Sequence, residues 1–576
     1  MQPFAGAPGP NGAHTNERLP GVVYTPPEVA RPMVQLALEP LVQGRSSTQL
    51  QALRICDPAI GEGAFVTEVV RVLADAVRTA WHAEGIAGSD DDARRAVTPC
   101  VIGVDIDARA VGLARASIGA DATTLRVGDA LALTWAREFP EVFARGGFDA
   151  VVANPPYIRQ ERLGAHKPAM TAFASAGGGA DLYVYFIELA HRILRSEGRY
   201  CLITPNKWLT AAYGRPLRSF LAVQGSIEGI VDLARTAVFA DAEAFPCVVW
   251  GTVGAPRQTP IRATRGAAEA VVAEVLRDPG TPHARERWHA EPWYIDEPAE
   301  RALIDRLEQT CRPLGEVVGA RPARGVVTGC NRAFVIDLAT RDRLVAAEPM
   351  AAPLIRPFIK GRDLRRWAAA PVERYILLVD RGTSLESLPS LEAHLAQFRD
   401  ALEPRPPTHD GTWSGRKPGT YRWHELQDPV GPLVSSRSPR LLYQDIQTGP
   451  ACCLDASGEL VPDTTVWILP TADPFLLAVL NSSLYGWYAR RRFPPALNGA
   501  VRPKREYMRA LPIAAPGPDA RLRIEQLVAE RVALEPAWRA GQAHAARDAR
   551  DLDRALDVAV LDAYELTTRE RAQLAS

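Results

Sequence analysis

The sequence predicts an α/β fold for its first 250 residues: a doubly wound, mostly parallel sheet with helices on both faces. A mixed α+β half and terminal helices are expected to follow. Three observations carry this. Short apolar runs alternate with helical-period segments from Arg54 to Val253. Gly, Asp and Asn cluster where those runs stop, as they do at ligand-binding strand ends. From about residue 311 the pattern changes to short strands, many turns and several Trp.

The elements follow in order. Arg54–Cys56 is a first strand, ending at a Gly-rich turn. Phe65, Val69, Val70, Leu73, Val77 and Trp81 then recur at helical spacing. Val101–Ile106 is a second buried strand, with a helix over Leu113–Ile118 behind it. Gly128 follows a third strand, and Phe148–Ala153 is the next, ending at Asn154. Leu182–Leu194 is apolar on most sides, which predicts a buried helix that Ser196-Glu-Gly198 ends. Cys201–Thr204, Ile230–Leu233 and Cys247–Val253 complete the strands. The expected organisation is a loose tail over 1–20, the α/β domain over 21–253, a linker with helices over 254–310, a mixed α+β half over 311–515 and closing helices over 516–576.

Composition narrows the function. The chain has 576 residues, zero net charge and 47% apolar residues, which excludes wholesale disorder. No run of 18 or more apolar residues occurs, so no membrane partner is expected. The eight cysteines show no C-x-x-C spacing; no metal site is expected, and a reducing cytoplasm fits. The zero total hides an asymmetry. Residues 1–250 hold about 23 basic and 26 acidic side chains, whereas residues 311–515 hold about 27 and 20. A basic half of this kind suits a polyanion. Only five of the cations are Lys; the Arg majority supplies planar donors for phosphate and guanine.

Four strand-end motifs carry the chemistry. Asp57-Pro-Ala-Ile-Gly-Glu-Gly-Ala-Phe65 is a strand–turn–helix corner where Gly61 and Gly63 let a ligand approach the backbone. Asp105 ends the second strand, where a carboxylate accepts from ribose hydroxyls. Asp129, after the third strand, is placed to accept from an exocyclic amine. Asn154-Pro-Pro-Tyr157 is a stiff loop whose amide, carbonyl and aromatic ring together suit a planar amine. The prolines have no N–H to compete for those acceptors.

These motifs resemble the gamma-class N6-adenine DNA methyltransferases, the TaqI-like methylases of restriction–modification systems that carry a C-terminal target-recognition domain. Tyr24-Thr-Pro-Pro-Glu28, Asp181-Leu-Tyr183, Ile203-Thr-Pro-Asn206 and Val238-Phe239 also match this class. The resemblance implies a Rossmann-like class I methyltransferase domain with a mostly parallel seven-stranded sheet. It implies S-adenosylmethionine as cofactor, held by Thr25, Asp57, Ala59, Gly61, Gly63, Phe65, Asp105, Ile106, Asp129 and Ala130. It places Asn154, Pro155 and Tyr157 at the reaction, with Tyr157 and Phe239 around an extruded adenine. The implied enzyme is a site-specific adenine DNA methyltransferase of a restriction–modification or anti-phage system.

The second half resembles the family's recognition region at Arg324–Asn331, Ile355–Asp363, Tyr443-Gln-Asp445, Leu480-Asn-Ser-Ser-Leu484 and Arg509–Ile513. Asp553–Thr567 resembles its closing helices. Arg356, Lys360, Arg362, Arg365, Arg490, Arg491, Arg492, Arg502, Lys504 and Arg505 are the expected DNA contacts. Tyr485, Trp487 and Tyr488 read equally as core or as DNA contacts; Trp367, Trp423 and His191 read as core. The long loop Ile158–Ala180 departs from the family pattern. With about 20 residues ahead of the first motif, no fused nuclease is expected. The expected partners are double-stranded DNA and a separate restriction endonuclease or defence protein, around a cytoplasmic monomer. The alternatives are an RNA adenine methyltransferase, a protein glutamine methyltransferase sharing Asn-Pro-Pro-Tyr, and an inactive DNA-recognition subunit.

Overall fold

The computed structural model describes residues 25–574, apart from 121–123, 164–169, 178, 225, 235, 237, 239–244, 255–258, 268–269 and 279. The chain divides into two compact units, Met1–Glu297 and Pro298–Ser576.

The first unit is built on one sheet. Its strands are β1 (Ile55–Asp57), β2 (Val101–Asp105), β3 (Leu125–Val127), β4 (Phe148–Ala153), β5 (Leu194–Pro205), β6 (Ile227–Asp232), β7 (Pro246–Thr252), β8 (Ile261–Arg265) and β9 (Thr281–His283). Their order is β3-β2-β1-β4-β5-β7-β6-β8-β9. The run β3-β2-β1-β4-β5 is parallel throughout, and β7 enters antiparallel between β5 and β6. The strands are apolar on both sides, as burial on both faces requires. Ala150 and Val152 of β4 join one core with the helices Pro27–Val42 and Ala64–Glu84, while Val151 and Ala153 join the other with the helix Leu182–Ile193.

Three sequence expectations change here. The sheet has nine strands, not seven. Residues 254–310, expected as linker and helices, supply β8 and β9 before the unit ends. The signal was weak because β8 buries only Ile261 and Ala263, and β9 buries nothing fully. The buried helix also stops earlier than expected, at Ile193. Ser196-Glu-Gly198 lies inside β5, where the pairing with β4 shifts register and Glu197 takes φ 62°.

Among the described residues the second unit contains three sheets, the smallest a two-stranded pairing of Arg312–Pro313 with Pro512–Ile513. A five-stranded one is centred on Arg440–Gln444, flanked by Cys452–Asp455 and Val466–Leu469. A four-stranded one includes Ile355–Ile359 and Arg374–Leu377. Leu441 and Tyr443 face a helical core, while Leu442 faces the core behind the four-stranded sheet. The helices Pro518–Ala533 and Ala543–Ala563 share that helical core with Trp487 and Met508, so the closing helices belong to this unit's own interior.

The Leu480-Asn-Ser-Ser-Leu484 segment is a structural joint. The Asn481 amide accepts from Cys452 N–H at 3.0 Å and donates to Cys452 O at 2.9 Å and Leu477 O at 3.1 Å. Ser482 caps the helix Ser483–Arg492, and Ser483 bonds both Asp557 oxygens. Asn481 is buried, so its loss strands two polar groups of Cys452 away from water. Asn481→Ala is expected to destabilise the second unit by about 2–4 kcal/mol, read as a lower urea midpoint; an unchanged midpoint contradicts this role.

Candidate functional site

The site is assembled at the carboxyl ends of β3, β2, β1 and β4, neighbouring strands in the parallel part of the sheet. At about 4.8 Å per strand, their four ends span roughly 15 Å. Asp129, Asp105, Asp57 and Asn154 follow or end these strands in that spatial order.

The corner after β1 is tightly organised. Asp57 Oδ1 accepts from Ala59 N–H at 2.9 Å, and Gly61 N–H donates to Asp105 Oδ2 at 2.9 Å. The second oxygen of Asp105 accepts from Asp107 N–H at 2.9 Å. Asp105 is thereby fixed by backbone donors from both sides, with lone pairs to spare. Gly63 has φ 98° at the N-terminus of the helix Ala64–Glu84, and a Cβ there would lie 3.0 Å from Ala114. A glycine is therefore required on both conformational and steric grounds. Gly61, at φ 54°, has nothing within 4 Å of where its Cβ would stand, leaving the corner open.

Asp57 is the electrostatic anomaly. It is 1% exposed, and Oδ2 has no hydrogen-bond partner among the described residues. Burial pushes its carboxyl up to about 8; the Ala59 amide opposes this, and Asp105 adds to it. A buried carboxyl with one unpartnered oxygen beside an open glycine corner is suited to a cationic ligand group.

The loop after β4 presents the second cluster. The Asn154 amide donates from Nδ2 to Thr25 Oγ1 at 3.0 Å. The amide oxygen consequently faces away from Thr25. Pro155 is buried; the Tyr157 ring meets Tyr183 edge-on with centroids 6.4 Å apart. Burial raises the Tyr157 phenol well above its ordinary value, so it stays protonated. The Tyr183 and Tyr213 hydroxyls lie 2.6 Å apart behind it. Asp181 Oδ1 accepts from Gln160 N–H at 3.1 Å, and Leu182 N–H bonds Ile158 O at 3.0 Å. Further along the loop, Glu188 accepts from the amides of Ala174 and Ser175 at 3.0 and 2.7 Å. The loop Ile158–Ala180, whose role the motif pattern left open, is thus pinned at both of its described ends.

The other expected residues are placed as follows. Phe65 is buried under the glycine corner, Ala130 is buried with its carbonyl bonded to the Trp135 indole at 3.0 Å, and Ile106 is 50% exposed at the rim. Asp129 Oδ1 accepts from Leu131 N–H at 3.0 Å. Phe239 lies outside the described residues. His191 is a core group: it bonds Ile187 O and Ser226 Oγ, and burial lowers it to about 4.

Three expected DNA contacts are corrected. Arg356 is 3% exposed and donates to the carbonyls of Val434, Gly458 and Glu459. Arg491 and Arg492 are buried against Glu300 and Glu308. Their place on the inward side of a helix, not their charge, decides this. Arg362, Arg365, Arg490 and Arg505 are exposed, and Lys360 and Lys504 are half-buried. Arg502 is paired with Asp445 at 2.6 Å. Tyr485, Trp487 and Tyr488 are core aromatics. The sequence motifs did not single out the Thr25 hydroxyl as Asn154's partner or Tyr183 as the wall behind Tyr157. Both are contacts between segments far apart in the chain.

Residues 99–239 match the family model described as Eco57I restriction-modification methylase. The chain is 26% identical over 518 residues to the Type II methyltransferase M.PaeR7I of Pseudomonas aeruginosa, covering 86% of this chain and 85% of that protein. It is 26% identical over 505 residues to the Type II methyltransferase M.XhoI of Xanthomonas vasicola, covering 82% and 86%. Its fold is similar to that of the Type IIL restriction-modification enzyme MmeI, solved in complex with DNA, with a TM-score of 0.62 over 94% of this chain and 75% of that one at 13% identity. Residues 99–239 are thus similar to an Eco57I-type restriction-modification methylase domain, and most of the chain is similar to Type II methyltransferases.

Proposed function

We propose that this protein transfers a methyl group from S-adenosylmethionine to the N6 amine of an adenine extruded from duplex DNA at a specific site, as the modification enzyme of a restriction–modification or anti-phage system. The observation that carries this is the Asn154–Tyr157 loop. It stands at the end of β4, one strand from the open glycine corner, with its amide oriented by Thr25.

The residues at the corner suit the cofactor. Asp57, with its unpartnered oxygen, would hold the ammonium of the methionine moiety; Asp105 would take the ribose, and Asp129 and Ile106 the adenine. Thr25, Ala59, Gly61, Gly63, Phe65 and Ala130 frame the pocket. S-adenosylmethionine, when bound there, supplies a methyl group on a cationic sulfur. A paired adenine cannot reach such a pocket, so the base leaves the stack at a cost of a few kcal/mol. Stacking on Tyr157 and Phe239 offsets part of that, at about 1–3 kcal/mol per aromatic contact. Asn154 Oδ1 and the Pro155 carbonyl accept hydrogen bonds from the amine. These two acceptors would orient the amine nitrogen and stabilise the positive charge that develops on it. The nitrogen then releases a proton readily, so no strong general base is needed. Exposed Arg362, Arg365, Arg490 and Arg505 suit phosphate or base-edge contacts with the duplex.

Tritium transfer from labelled cofactor tests the substrate class. Label is expected in duplex DNA and not in RNA or protein; label in protein or RNA contradicts the reading. Asn154→Ala is expected to abolish transfer while cofactor binding survives, and a variant keeping more than about a tenth of wild-type turnover contradicts the acceptor role. Thr25→Val removes the partner that orients the amide. It is expected to lower kcat about 10–100-fold with KM for DNA little changed, because only the aligned state is lost; unchanged kcat contradicts it.

Asp57 gives a pH signature. In the unfolded chain it ionises near 3.8, and in the cofactor-free fold near 8. Between those values the folded state holds a proton that the unfolded chain has released, so its contribution to stability declines as pH rises and levels off above about 8. Asp57→Asn does not titrate. Its thermal midpoint is expected to gain on wild type as pH rises from 5 to 8, by an amount on the order of a few kcal/mol in stability. A cationic ligand group binds the ionised form, so wild-type cofactor affinity is expected to rise over pH 6–8 and the variant's to stay flat. Titration calorimetry at three pH values checks this, and parallel profiles contradict it.

A further inference from the structure

Outside the methyl-transfer site, the second unit carries a small surface groove with its own architecture. One wall is the turn after Asp445, and the other is a hairpin. Gln447 and Val501 exchange backbone hydrogen bonds at 2.9 and 2.8 Å. Arg502 N–H bonds Pro494 O at 2.8 Å, and Ala496 N–H bonds Ala500 O at 2.7 Å. Residues 494–502 therefore fold tightly back, and the turn carries Asn498 at φ 56° and Gly499 at φ 69°. Asn is among the few side-chain residues that accept this conformation readily.

The frame under the groove is rigid. The Tyr485 hydroxyl donates to Gln447 Oε1 at 2.7 Å, both side chains being 2% exposed. Asp445, behind the turn, takes the Trp467 indole N–H at 2.9 Å and the Arg502 guanidinium at 2.6 Å. A Cβ on Gly486 would lie 3.1 Å from Pro450 Cγ, so the turn rests directly on the helix Ser483–Arg492.

The lining is different in kind. Thr448, Gly449, Arg490 and Gly499 border the groove and are exposed, as is Asn498 on the hairpin turn. Ile446, next to Gln447 in the same turn, is 53% exposed, an apolar side chain that this unit does not cover. Gly449 has no left-handed φ, and nothing lies within 4 Å of where its Cβ would stand. Neither backbone strain nor crowding within the chain demands a glycine there; what it does is leave room for an incoming group. An exposed amide, guanidinium, hydroxyl and aliphatic group on a fixed frame are complementary to base edges. A carboxamide matches adenine, a guanidinium fork matches guanine, a hydroxyl serves either, and an aliphatic group meets the thymine methyl.

We propose that this groove reads bases in the major groove of the target duplex, with Asn498 and Arg490 as specificity-determining residues. The proposal rests on the DNA part of the function above and names residues that set the recognition sequence. Arg490 thereby reads a base edge and is not a phosphate contact.

The test is selection of bound sequences from a randomised duplex library by the full chain, followed by sequencing. Asn498→Gly and Arg490→Ala are the variants. Glycine keeps the hairpin turn at its positive φ, and Arg490 is exposed, so both are expected to fold with unchanged thermal midpoints. Wild type is expected to enrich one sequence. Each variant is expected to lose about tenfold or more of the discrimination at one or two positions of it, with affinity for random duplex little changed. The proposal is overturned if both variants keep the wild-type preference at every position. It is equally overturned if they lose affinity for selected and random duplex alike, or if wild type enriches no sequence. If wild type enriches a sequence yet methylates no adenine in it, the groove assignment stands and the methyl-transfer reading fails.

Discussion

One hydrogen bond organises the chemical end of this molecule: Asn154 Nδ2 to Thr25 Oγ1. A carboxamide in water presents donor and acceptor interchangeably by rotation. Tying the nitrogen to a buried threonine removes that freedom and turns the oxygen to the other side. The bond spans 129 residues of sequence and exists only because the helix Pro27–Val42 packs on the same face of the sheet as β4's inward residues. Sheet pairing then does the remainder. β4 lies beside β1, so the oriented amide stands one strand away from the glycine corner and from Asp57. Orientation and proximity are properties of the fold here, present before any ligand arrives.

The same sheet edge concentrates acidic groups. Asp57 and Asp105 sit on adjacent strands, and burial of Asp57 leaves it protonated near neutral pH. Such a carboxyl is a poor structural element, since half of its hydrogen-bonding capacity lacks a partner among the described residues. It makes sense as a group whose natural counterpart is a cation from outside the chain. Asp105 shows the contrasting solution: two backbone amides fix its orientation while its remaining lone pairs face outward.

The chemical end was legible in the sequence because it depends on local patterns. Glycines at fixed offsets after an apolar run, an acid at a strand end and a diproline loop are each contiguous in the chain, and strand–helix alternation places them on one edge. What escaped notice depends on distant contacts. β8 and β9 bury too little apolar surface to announce themselves. Thr25 and Tyr183 act through partners that only the sheet brings near. The basic residues of the second half were the least legible group. Arg356, Arg491 and Arg492 look like DNA contacts by charge, but a buried guanidinium whose donors meet carbonyls and carboxylates is a cross-link of the interior. Asn498, an ordinary polar residue in sequence, draws attention only through its backbone conformation and exposure.

The Asn154 loop is proposed above as an amine-methylating corner acting on adenine. The most direct measurement is mass-spectrometric analysis of nucleosides from duplex DNA incubated with the protein and S-adenosylmethionine. N6-methyladenine is the expected modified nucleoside, absent when Asn154→Ala replaces wild type. Methyl groups on cytosine, or N6-methyladenine formed equally well by the Asn154→Ala variant, would contradict it.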